Sequence, residues 1–250
     1  MFQNLRKSKK LLLIAMTCAT FAIAGCGSDT TKTTADNGPS VTWSETFDGT
    51  KTDFAVKSAP THAVSMSQAT TEMMLQLGLE DKMAGTTFKE EEIYPPLQAA
   101  YDKVKVLSEK WPSYEVFMSV KPDFATGWPD SFSKRAIPAD KMISQKVNIW
   151  IPESMLSTKA DLETNFSDMI KLGEIFGVKP KAEEWVSGQR KTLAAIQDKL
   201  KDLPRKRIFI YDSEDGQPFT AFEGYTTNIL KLIGADNVMS GLGVDKTWAK

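Results

Sequence analysis

The chain has 250 residues, of which 41% are hydrophobic and 25% charged, enough to bury a sizeable core and too apolar for a wholly disordered chain. Its 31 lysines and arginines face 32 acidic residues, a formal charge of −1. That balance excludes the basic footprint of a nucleic-acid binder.

The first ten residues carry Arg6, Lys7, Lys9 and Lys10 and no acid, and an apolar stretch of about 14 residues follows as far as Ala24. That stretch is short of the roughly 20 residues a membrane-spanning helix needs. Small residues lead into Cys26 in the run Ile23-Ala24-Gly25-Cys26, which reads as a bacterial lipobox. Residues 1–25 are therefore expected to be a signal peptide, and Cys26 the lipidated first residue of the mature chain. The alternatives are an ordinary signal peptide with a chance cysteine, or an uncleaved anchor. Processing removes Cys18 and modifies Cys26, which leaves no disulfide framework, thiol nucleophile or thiolate metal site. It also removes four basic residues, leaving 27 against 32 acidic ones and a mature charge of about −5. Residues 26–45 are expected to be a flexible tether, because the small polar residues after Cys26 bury too little apolar surface to offset ordering entropy.

Beyond the tether, short β-branched or aromatic runs alternate with helix-length patterns. Strands are predicted at residues 62–66, 83–87, 105–107, 123–126, 147–151 and 207–211. Helices are predicted at 68–77, 113–120, 159–176, 181–203 and 225–232. This alternation points to βαβ units and a mainly parallel sheet. Thr158 is a plausible N-cap and Gly177 a C-terminal stop for the helix at 159–176. In the helix at 181–203, Trp185, Val186, Leu193, Ile196 and Leu200 share a face, and its length of roughly 33 Å is enough to cross a small domain or bridge two. A new strand-helix series begins after Pro204. It is too short for a comfortable core of its own, and the sequence is expected to be a fragment.

Several of these residues resemble a family. The run Thr61-His62-Ala63-Val64-Ser65-Met66 with the helix that follows, Glu115 ahead of Lys121-Pro122-Asp123, Leu172-Gly173-Glu174-Ile175-Phe176-Gly177, and Leu232-Ile233-Gly234-Ala235-Asp236-Asn237-Val238 are similar to segments of metal-chelate substrate-binding lipoproteins. Those are the periplasmic-binding components of ABC importers for iron-siderophores, haem and cobalamin. The resemblance implies an α/β fold of two Rossmann-like lobes joined by a single long helix, with the second lobe incomplete in this chain. It divides the body into an N-terminal lobe at 46–158, a helical segment at 159–203 and the start of a C-terminal lobe at 204–250. It also implies a ligand between the lobes, no bound cofactor apart from lipid, and no catalysis. The expected partners are an ABC permease with its ATPase, a small-molecule chelate and the membrane, with the protein itself a monomer. A ferric siderophore is the first choice of ligand, a corrinoid or haem the next. A sensor or an enzyme-like lipoprotein on the same fold is the alternative class.

Within that frame Glu115 is the expected permease-docking residue, although the helix macrodipole alone would favour a glutamate at that position. Trp111, Trp128 and Tyr225 stand at segment ends, where ligand contacts concentrate, and flat aromatic faces suit bulky chelates. Phe88 and Arg135, with Lys134, are further ligand candidates. Trp150 and Trp185 read as core. His62 is the only histidine and reads as structural, which disfavours a histidine-rich site for a bare metal ion. Glu90-Glu91-Glu92 reads as a solvated helix start. No HExxH, phosphate-binding glycine loop or Gly-x-Ser-x-Gly motif is present.

Overall fold

The computed structural model describes residues 40–250. The signal, Cys26 and residues 26–39 of the expected tether lie outside the described residues. Structure begins with a feature the sequence reading missed, an antiparallel hairpin of β1 (Val41–Phe47) and β2 (Thr50–Val56). Residues 41–45, assigned above to the tether, are thus strand. Asp48 and Gly49 turn the hairpin with φ of 47° and 80°. Asp-Gly suits a two-residue turn that needs positive φ at both central positions.

The central sheet is built from β3 (Ala63–Ser65), α1 (Gln68–Gln76), β4 (Met83–Thr87), α2 (Gln98–Tyr101), β5 (Val106–Ser108), α3 (Tyr114–Ser119), β6 (Phe124–Thr126), α4 (Ala139–Ser144) and β7 (Asn148–Trp150). Its five strands are all parallel and run in the order β5-β4-β3-β6-β7. Every residue of β3 and β6 is buried, as expected of a parallel sheet covered on both faces. Alternate residues feed two cores. Ala63, Phe124 and Trp150 pack with Met74, Phe166 and Leu172. Val64, Ala125 and Ile149 pack with Phe117, Phe132 and Met142.

Two helices follow, α5 (Leu162–Ile175) and α6 (Lys179–Leu200). The N-cap of α5 is Asp161, in a capping box with Thr164, rather than Thr158. The helix starts later because Asp161 and Thr164 satisfy each other's backbone N–H groups. Gly177, at φ 71°, ends α5. A Cβ on Gly173 would stand 2.7 Å from the Ala182 Cβ, so glycine there lets α6 pack tightly against α5. In α6 only Ala182 and Val186 are buried; Ile196, on the predicted apolar face, is exposed.

The remaining elements are β8 (Lys206–Ile208), β9 (Tyr211–Glu214), β10 (Pro218–Ala221), α7 (Tyr225–Leu232), β11 (Ala235–Asn237) and β12 (Trp248–Ala249). β8 pairs with β11 in parallel, whereas β10 takes β9 and β12 antiparallel. The predicted strand at 207–211 therefore breaks into two, its first part in β8 and its last residue opening β9. Its register with β10 makes a ladder that its wholly exposed, polar side chains do not signal. The triple glutamate is another correction. It lies in a loop rather than a helix, pinned to α1 by the Gln68 Oε1, which accepts from the Glu90 and Glu91 N–H groups at 2.8 Å each.

The hairpin is locked to the edge strand β7 by side chains. The Trp43 indole donates to the Ile149 carbonyl at 2.7 Å, and the Ile151 N–H donates to the Glu45 carboxylate at 3.0 Å. Glu45 is buried, which pushes its pKa up to about 7 against the lowering effect of that hydrogen bond; the Glu153 and Asp168 carboxylates raise it further. Burial also raises Asp168, although the Glu153 and Ser154 amides donate to it. A carboxyl whose pKa is higher folded than unfolded favours the fold while protonated. That benefit is full below 4.5 and is lost as pH rises through about 7. Stability is therefore expected to fall between pH 5 and pH 8 by on the order of 3 kcal/mol from Glu45 alone. Denaturant melts of wild type and Glu45→Gln across that range check this. The difference isolates Glu45 from Asp168, and parallel profiles would show that the Glu45 carboxyl is not the source.

Candidate ligand-binding cleft

The strand order reverses between β3 and β6, and the segments after their carboxyl ends must diverge there. Open α/β sheets bind ligands at such a point. From β3 the chain enters α1 through Ser67, whose hydroxyl caps the Thr70 N–H. From β6 it passes through Gly127 to Trp128. A Cβ on Gly127 would lie 2.8 Å from Ser131 Oγ and 3.0 Å from Met66 Cβ, so glycine is what lets the two segments approach. Beneath them Ser65, Ser67, Thr70, Thr71 and Thr86 form a buried hydroxyl network with links of 2.6 to 2.9 Å. This network ties the end of β3 to the start of α1 and to β4.

A cleft of about 370 Å³ opens at this point. Trp128, Tyr225 and Trp248 supply its aromatic surface, Met155 an adaptable apolar one, and Asn165 and Glu223 polar groups. The size and the apolar lining with a few polar groups are those of a small-molecule site. Each wall is anchored. Asp168 holds the segment bearing Ser154 and Met155 through two amide bonds of 2.9 Å. Asn228 of α7 donates to the Ala160 carbonyl at 2.8 Å, and Trp248 stacks on Phe219 at 5.8 Å. Burial, then the Asp168 carboxylate, raises the Tyr225 phenol above its usual pKa, so it stays a neutral donor.

Two of the predicted ligand residues, Trp128 and Tyr225, thus meet across one cleft. Phe88 and Trp111 meet each other instead, stacked at 4.7 Å. The Trp111 indole donates to the Met66 carbonyl at 3.1 Å. Phe88 directly follows β4 with φ of 56°, a costly conformation for a bulky residue and one that gathers at functional sites. It lines a neighbouring hollow of about 640 Å³ with Tyr101 and Val106. Arg135 is exposed, bound to Asp130, and is not among the cleft-lining residues; Lys134 is exposed as well. Trp150 is buried, whereas Trp185 is half-buried against Phe166 and lines a further hollow.

Glu115 is fully exposed in the first turn of α3, behind the N-cap Ser113. Its own backbone N–H, then the Ser113 hydroxyl, holds its carboxyl below the usual range, so it is charged at neutral pH. His62 is exposed, its Nδ1 3.0 Å from Thr61 Oγ1 and its backbone N–H donating to Asp123. Among the described residues no group of three or more His, Cys, Asp or Glu is placed to hold a metal ion. The sequence reading missed Glu223, Trp248, Met155 and Asn165. Glu223-Gly224 directly ahead of a helix was the one available signal.

A family model described as periplasmic binding protein matches residues 64–250. The crystal structure of a periplasmic binding protein from Veillonella parvula is 96% identical with a TM-score of 0.84, covering 85% of this chain and 72% of that one. The ABC transporter substrate-binding lipoprotein YvrC of Bacillus subtilis is 26% identical over 92% of this chain and 73% of its own. A structure from an ABC-type Fe3+-hydroxamate transport system of Saccharomonospora viridis shares the fold, with a TM-score of 0.67 at 19% identity over 83% of this chain and 73% of that one. The doubly wound parallel sheet, the cleft at its switch point and the extent of the family match agree, and the chain belongs to the periplasmic binding protein family.

Proposed function

We propose that this chain is the solute-binding component of an ABC importer, held at the membrane by lipid on Cys26, and that it captures a metal chelate and delivers it to a permease. The observation that carries this is the aromatic-walled cleft at the β3–β6 switch point, where Trp128 and Tyr225 face a common space. Flat faces and an apolar floor suit the periphery of a chelate, whose metal is already coordinated and needs no protein ligand. A ferric siderophore is the first choice, in keeping with the Fe3+-hydroxamate system from which the Saccharomonospora structure comes. A corrinoid or haem in the same role is the second. The chain binds and hands over; ATP hydrolysis belongs to the transporter's own subunit. Tryptophan-fluorescence titration of the mature protein with ferric siderophores, cobinamide, cobalamin and haem tests the reading. Saturable quenching by one of them is expected, and no quenching by any would overturn it.

Glu115 is our docking candidate on the permease side. An exposed, charged carboxylate meeting basic residues contributes register and on-rate more than affinity. Glu115→Gln is therefore expected to leave chelate affinity unchanged. In reconstituted transporter it should lower ligand-stimulated ATPase activity about fivefold at low salt, with a smaller loss at high salt. Unchanged stimulation at both salts would remove Glu115 from the interface.

A further inference from the structure

We propose that the cleft selects chelates by charge, admitting neutral or cationic ones and disfavouring anionic ones, with Glu223 as the selecting residue. The inference rests on the chelate-binding reading above and narrows it. Glu223 lines the cleft beside Trp128, Tyr225 and Trp248. Its carboxylate is fixed in place, since the Gly241 N–H donates to it at 2.8 Å and the Ser240 hydroxyl lies 3.2 Å from both oxygens. Its backbone N–H donates to the Lys246 carbonyl at 3.2 Å. These are neutral donors. They hold the charge without cancelling it, and among the described residues no lysine or arginine forms an ion pair with Glu223.

The surroundings carry the same sign. Among the described residues no cleft-lining side chain is basic. The Glu90 carboxylate lies beside the Trp128 side chain, with Glu91 and Asp212 near enough to add repulsion there. Arg135, the basic residue the sequence offered for an anionic ligand, is bound to Asp130 instead. Lys89 and Lys110 line only the neighbouring hollow, where Glu90 and Glu109 balance them. The aromatic walls are not neutral in effect either, because indole and phenol faces attract cations. An anionic chelate entering this cleft exchanges its water for a fixed carboxylate and the negative faces of three rings. A cationic one gains from both.

The test holds the chelate scaffold constant and varies its charge. Ferrioxamine B is used with its amine free, acetylated and succinylated, which gives a cationic, a neutral and an anionic form; cyanocobalamin and its monocarboxylic acids provide a second series. Calorimetric titration is run on the mature wild type and on Glu223→Gln, whose amide oxygen still accepts from Gly241. In the wild type the cationic form is expected to bind tightest and the anionic form weakest. Glu223→Gln should weaken the cationic form about fivefold, strengthen the anionic form by a similar factor and change the neutral form least. An unaltered melting temperature shows that the variant is folded. Preference for the anionic form, or an equal effect of Glu223→Gln on all three, overturns charge selection and leaves chelate binding standing. No binding of any form in either series overturns charge selection, and the chelate reading falls with it when haem and the other siderophores fail to bind as well.

Discussion

Replacing Trp128 with alanine is expected to weaken chelate binding about thirtyfold, the loss typical of a central aromatic anchor. The indole stands where the ends of β3 and β6 part, with Gly127 tight against Met66 and Ser131 on one side and the Glu90 carboxylate near its side chain on the other. Its position is set before any ligand arrives, so little of its contact energy is lost to ordering. Calorimetry is the right readout, because removing Trp128 also removes part of the fluorescence signal. Trp128→Phe, which keeps a flat face and loses the N–H, is expected to recover most of the affinity. If Trp128→Ala binds as tightly as wild type, the ligand does not rest on this wall.

The second large effect lies in the scaffold. Phe124 is fully buried in β6, packed edge-on against Phe176 at 5.2 Å and near Trp43 at 6.3 Å. Phe124→Ala removes a ring that joins the sheet, α5 and the hairpin, and three different elements cannot close on the gap together. A loss of about 4 kcal/mol is expected, seen as a fall in Tm of roughly 10 °C. Phe209→Ala, at a side chain 46% exposed, should change stability by no more than about 0.5 kcal/mol. A loss below about 1 kcal/mol at Phe124 would mean that the core relaxes far more than its three-element packing allows.

The contrast between these two phenylalanines also marks what the sequence made readable. Phe124 sits in a short apolar run bounded by Lys121-Pro122 and Gly127, so strand, burial and the placement of Trp128 at its end could all be read locally. The same holds for α1, whose Ser67 cap and Gly78 stop bracket an apolar period. The hairpin was hidden because Thr, Ser, Lys and Asp dominate its outer face and continue the polar composition of the residues before it. Asp48-Gly49 was the overlooked sign. β9 is exposed along its whole length, so only its pairing with β10 defines it. At the cleft Trp128 and Tyr225 announced themselves by standing at strand and helix ends. Glu223 did not, because its orientation comes from Ser240 and Gly241, a contact that exists only after folding. Arg135 erred the other way. Its sequence position beyond Trp128 suggested a ligand, and an aspartate five residues back took its guanidinium.

The side-chain lock between β1 and β7 has a consequence for how molecules meet one another. A parallel sheet has two edges, each a row of backbone groups on which a foreign strand can template itself. At β7 part of that row is already taken by Trp43 and Glu45. At the opposite edge β5 ends the sheet with no further strand beside it among the described residues, and Val106 there is 49% exposed. Strand-to-strand recruitment onto this sheet is therefore polarised, because one flank is guarded by two side chains and the other by little more than the shortness of β5.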